Sequence, residues 1–216
     1  MKLLRWLPIF LVALCFLTAI VAYPKLPEKV ASHWNLEGKA DGYMDRAGGA
    51  FFVPVLSLFM LALSYVLPRI DPLKKNYAAF RNEYDGMVAV LVGFMYYVYL
   101  LTLLINFGYG IDIVQWLSPA FAVLFYYVGI LLGKAKQNWF VGIRTPWTLE
   151  SESVWDKTHA VASRLFKAAG VAALLGVFVP QAGLMVAVAL AVGVAVFTFF
   201  YSYWEFQREK KRPSRK

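Results

Sequence analysis

Two histidines, one cysteine and 13 carboxylates in 216 residues leave little material for the usual kinds of site chemistry. Cys15 has no second thiol, which excludes an intrachain disulfide, and inside an apolar run it says nothing of redox compartment. There is no H-E-x-x-H, no G-x-S-x-G and no phosphate-cradling glycine loop. The zincin, serine-hydrolase and P-loop readings fall with them. Charge is also scarce, at 16% of residues, where soluble domains carry about 25%. The long runs without charge contain no Asp, Glu, Lys or Arg at mid-depth, the residues on which proton- and ion-coupled transporters usually depend.

What is present is apolar surface. Sixty per cent of residues are hydrophobic and the mean hydropathy is +0.57. One aqueous core cannot hide that much, so the chain is an integral membrane protein. A span needs about 20 apolar residues. Trp6–Ala22, Phe51–Leu67, Met87–Phe107 and Ile113–Gly133 are uncharged runs that meet or approach this length. Ala168–Trp204 is too long for one crossing, and Pro180-Gln-Ala-Gly183 divides it. The fifth span then begins near Ala162, with Arg164 and Lys167 snorkelling to the headgroups; a re-entrant hairpin is the alternative there. The first run is long for a signal peptide, and bulky Ile20 stands where a cut after Ala22 needs a small residue. The expected fold is all-α, with six transmembrane helices.

Orientation follows from Lys and Arg. With both termini in the cytoplasm, 18 of the 22 basic residues are inside and 4 outside. The formal charge of +9 is then a topology signal that meets anionic lipid, and direct nucleic-acid binding is not required. The basic tail 205–216 reads as a solvated anchor. The plasma membrane is the expected location. Two regions are expected: 1–85, with an external loop over 23–50, and 86–216, with a cytoplasmic loop over 134–160.

These two loops hold the candidate site residues. The external one contains His33, Trp34, Asn35, Gly38 and Asp41. Pro24 and Pro27 give it an extended entry, and Gly38 and Gly42 mark turns. His33, Glu37, Asp41 and Asp45 would share a cation-binding helical face, but the two glycines oppose that helix. No metal and no cofactor are expected. Otherwise His33, Trp34 and Asn35 fold the loop onto the membrane interface. The cytoplasmic loop contains Asn138, Gly142, Arg144, Thr145, Pro146, Trp147, Trp155, Asp156 and His159. Pro146 forces an extended or turn conformation before it. Ser153 followed by Asp156 resembles a helix N-cap. Arg144 offers a planar fork to a carboxylate or phosphate; either it binds a ligand or it pairs with Glu150, Glu152 or Asp156 while Trp139, Trp147 and Trp155 sit among headgroups.

Small residues at every fourth position, Ala168/Ala172/Gly176 and Ala187/Ala191/Ala195, predict close packing of the last two helices. Each half has three helices with a long loop after its first, one loop facing out and one in, as in an inverted repeat. This arrangement is what a small-molecule permease would use. A third reading is an enzyme acting on lipid headgroups through Arg144, Asp156 and His159, which would have to converge.

The motif L-P-E-K-V-A-S-H-W-N-L-E-G-K-A-D-G-Y, from Leu26, resembles a short domain of unknown function found in bacterial and archaeal membrane proteins. N-W-F-V-G-I-R-T-P-W-T-L from Asn138, followed by V-W-D-K-T-H from Val154, is similar to the signature of the SdpI immunity family. The resemblance covers essentially the whole chain. It implies a non-enzymatic plasma-membrane immunity protein and receptor, protecting against a secreted toxic peptide of SdpC type. It also implies signalling by holding a cytoplasmic transcriptional repressor at the membrane. The outer residues would meet the peptide; the cytoplasmic ones would stabilise the bundle or pass the signal on.

Overall fold

The computed structural model describes residues 2–211, with the side chains of Lys2 and Leu3 excepted. Residues 212–216 of the basic tail lie outside the described residues. In chain order come α1 (Lys2–Ala22), β1 (Lys29–Trp34), β2 (Ala40–Asp45), α2 (Arg46–Ile70), α3 (Arg81–Asn106), α4 (Ile113–Leu132), the short α5 (Pro146–Glu150), α6 (Glu152–Ala173) and α7 (Pro180–Lys210). Every helix but α5 lies in a segment long and apolar enough to cross a membrane, six in all among the described residues. The chain is a multi-pass membrane protein of helical class. One departure from all-α is the loop after α1, which folds as an antiparallel β1–β2 hairpin.

The helix boundaries have local causes. Asp45 caps α2 by accepting from the Gly48 N–H at 3.0 Å. Asp112 caps α4 through the N–H groups of Val114 and Gln115. Pro180 sits in the first turn of α7, where its missing N–H costs nothing. The fifth membrane helix differs from expectation. It begins ten residues before Ala162, and its cap is Ser151, not Ser153, with Ser151 Oγ accepting from Val154 N–H. Charged residues in its first turns are paired: Lys157 with Glu205 at 2.9 Å and Asp156 with Lys136 at 3.2 Å.

Helix α3 packs on α1, α2 and α4, and joins a first group (α1–α3) to a second (α4, α6, α7). Cys15, Ala19, Tyr99 and Leu103 bury together in the first group, and Ala122, Ala173 and Ala187 in the second. The small-residue stripes are realised only in part. Gly176 meets Gly183, and Ala187 is buried, but Ala168 and Ala195 are exposed. Four residues turn a helix about 40° past a full turn, so a strict every-fourth stripe leaves the contact face. Helix α6 instead uses Ala162, Ala169, Gly170 and Ala173, with Gly170 seated on α4 between Ala122 and Tyr126.

Candidate functional site

The hairpin roofs one end of the bundle. Val30 is fully buried against Gly49, where any side chain on Gly49 would collide with it. Asn106 at the end of α3 holds the free edge of β1: its Oδ1 accepts from Ala31 N–H at 2.8 Å and its Nδ2 donates to Ala31 C=O at 3.0 Å. At the tip, Asn35 Oδ1 accepts from the N–H groups of Glu37 and Lys39, and Gly38 takes a φ of +74° that favours glycine. Gly38 also lies over Asp112 and Val114, so the tip rests on the start of α4. His33 Nδ1 stands 2.5 Å from Asp41 Oδ1, both side chains exposed, and Gly42 leaves room for His33 at its cross-strand position. Trp34 turns inward and is half-buried.

Below this roof is a cavity of about 340 Å³. Trp34 and Met44 line its top; Phe52, Val98, Val114 and Leu117 form most of its walls. The hydroxyls of Tyr99 and Thr102 are spent on the carbonyls of Ala50 and Val98. The interior is therefore apolar, and the groups able to bond a ligand (Ser32, His33, Asn35) belong to the hairpin. Among the described residues no cluster of three metal-ligating side chains occurs.

The motif around Asn138, at the opposite end of the bundle, is a knot of satisfied polar groups. Asn138 is fully buried. Its Oδ1 accepts from the N–H groups of Phe140 and Val141, and its Nδ2 donates to the carbonyls of Lys136 and Val141. The Tyr77 hydroxyl lies 3.2 Å from both Asn138 Oδ1 and Asp71 Oδ2, and Asp71 accepts from Trp139 N–H at 2.9 Å. The linker after α2 is thereby locked to the loop after α4. Gly142, at φ +116°, lies against His159 and Trp155. His159 Nε2 accepts from Ile143 N–H at 3.0 Å, so the ring is neutral and its Nδ1–H donates to Trp155 C=O at 2.8 Å. The Trp155 indole stacks on that ring at 4.0 Å and donates to Ala135 C=O. Thr145 caps α5 in a reciprocal box with Thr148, and its hydroxyl meets Ser202 of α7 at 3.0 Å. Pro146 opens that helix, and Trp147 packs edge-on against Phe199 and Tyr203.

Three expectations are corrected here. Arg144 pairs with none of Glu150, Glu152 and Asp156; it is exposed and donates to Trp139 C=O at 2.9 Å. Trp155 is a core residue, not a headgroup anchor: it is fully buried, and its indole N–H is satisfied by Ala135 C=O. Arg144, Asp156 and His159 do not converge: the first two point to solvent and the third has both ring nitrogens engaged. That removes the geometry on which the Arg144–Asp156–His159 reading depends. Sequence reasoning assigned no role to Asp71, Tyr77 or Asn106. A signal for Asp71 existed, since it is the lone acid in the basic linker from Pro68 to Phe80.

Both segments resemble known proteins in sequence. The SdpI/YfhL protein family profile matches residues 134–202, the segment that carries most of the knot. That of a domain of unknown function, DUF1648, matches residues 10–58, which carry the hairpin. The chain is 29% identical over 196 residues to the immunity protein SdpI of Bacillus subtilis (strain 168), covering 90% of this chain and 92% of that protein. No solved structure matches. Residues 134–202 are thus similar to the SdpI/YfhL protein family, within a chain that resembles an SdpI immunity protein over nine-tenths of its length.

Proposed function

We propose that this protein confers immunity at the plasma membrane against a secreted toxic peptide of SdpC type. Both termini are cytoplasmic, the hairpin end meets the peptide, and the protein performs no chemistry on it. Region 1–85 supplies the ligand-facing hairpin, with His33, Trp34, Asn35, Gly38 and Asp41 as its contact residues. Region 86–216 supplies the knot. The similarity to an SdpI immunity protein across nine-tenths of the chain carries this reading. The shape of the molecule supports it, since one end has an exposed polar hairpin above a cavity while the other is tightly hydrogen-bonded.

At the cytoplasmic end the exposed Arg144, beside the half-exposed Trp139, is the surface offered to a transcriptional repressor. Expression in a host sensitive to the SdpC peptide tests the reading. Protected growth is the expected result, together with movement of a fluorescent repressor fusion to the membrane when peptide is added. Unprotected growth at normal membrane levels overturns the immunity role; protection without repressor movement removes only the signalling step.

A further inference from the structure

We infer that the cavity under the hairpin seats a large apolar side chain of the secreted peptide, so that recognition rests on insertion and not on charge. The inference rests on the immunity reading and adds the chemistry of the ligand.

Depth decides between a side chain and a lipid tail. The lining runs from Gly48 to Val53 on α2, from Val98 to Thr102 on α3, and from Ile113 to Leu117 on α4. At 1.5 Å per residue each stretch is about 6–8 Å long. An acyl chain reaching the middle of a hydrocarbon core of about 30 Å needs about 15 Å. The cavity is half as deep as that, and it matches the reach of one aromatic or long aliphatic side chain. Its volume of about 340 Å³ falls in the range of ligand pockets, about 300–1,000 Å³. Its floor offers no free donor, because Tyr99 and Thr102 already bond backbone carbonyls.

Charge gives no rival recognition mode. With the hairpin outside, the external segments hold four basic and five acidic residues, nearly balanced. His33 and Asp41 neutralise one another when the ring is protonated. A peptide attracted by charge would find no field of one sign. Polar contacts remain at the roof: the Nδ2 of Asn35 has no partner among the described residues, while its Oδ1 is committed to the turn.

Filling the cavity tests this. Leu117→Phe puts a ring into the space; Val192→Phe makes the same kind of change on the exposed face of α7. Both are expressed in the sensitive host, with membrane levels measured, and challenged with SdpC peptide. The expected result is a protective dose range reduced about tenfold or more for Leu117→Phe and unchanged for Val192→Phe, the scale of losing one buried apolar side chain. Full protection by Leu117→Phe at normal levels overturns the inference and leaves the immunity role standing. No protection by the unaltered chain overturns both.

Should Leu117→Phe fail to reach the membrane, Thr102→Cys in a Cys15→Ala background gives a second reading. Labelling of Thr102→Cys by N-ethylmaleimide slows severalfold in the presence of SdpC peptide if the peptide enters the cavity. An unchanged rate in cells that are still protected overturns the inference.

Discussion

One buried amide, that of Asn138, stands in for a stretch of regular backbone. It satisfies two N–H groups and two carbonyls of the loop around it and meets Tyr77 besides. Asn138→Leu keeps the branched shape but strands those groups, at about 1–3 kcal/mol for each one left buried and unpaired. Arg144→Ala removes one exposed bond, to Trp139 C=O, worth about 0.5–1.5 kcal/mol at most. Thermal unfolding of the purified chains in detergent, followed by size-exclusion, separates the two. The apparent midpoint falls steeply for Asn138→Leu and little for Arg144→Ala. A matching fall for both would show that Arg144 holds the fold in some way its one bond does not explain. These residues were legible as a motif from type and spacing. Their roles were not, because Asn138, Asp71 and Tyr77 lie far apart in the chain and meet only when two loops fold together.

At the scale of elements, the hairpin depends on a side chain from a membrane helix. A two-stranded hairpin is marginal by itself. Here Asn106 supplies β1 with the donor and acceptor of a missing third strand, and Val30 inserts among Ala50, Tyr99 and Leu103. Asn106→Leu leaves Ala31 N–H and C=O without that partner. Hydrogen exchange measured by mass spectrometry is expected to rise over residues 29–45 while α6 and α7 keep their protection. Unchanged exchange in the hairpin would mean that Val30 alone secures it. The turn at Gly38 was readable from glycine placement, but Gly42 marks no turn: it lies within β2 opposite His33, whose side chain leaves no room for another there. The pairing of β1 with β2 was not readable, since the strands are short, carry a register irregularity and owe their stability to α3. At the other end, Ser151 to Glu209 and Lys157 to Glu205 clamp α6 to α7, which is why charged residues occur in helices that continue beyond the hydrocarbon.

For the whole molecule, six crossings place the hairpin and the Asn138 knot on opposite faces. The exposed Glu37 and Glu150 report this directly. In a Cys15→Ala background, Glu37→Cys reacts with an impermeant maleimide in intact cells, and Glu150→Cys reacts only after permeabilisation. Reaction of both from outside would overturn the threading and the division into ligand side and signalling side. Hydropathy and the Lys and Arg bias determine the membrane class, the number of spans and the expected orientation. Each follows from transfer of single side chains between water and hydrocarbon, an energy that adds along the chain. The tertiary structure alone decided that His159 and Trp155 are core, that Arg144 stays free of the nearby acids, and that the hairpin covers a cavity. Those outcomes depend on which groups meet across long sequence separation, where each buried polar atom takes whichever partner the folded chain brings within reach.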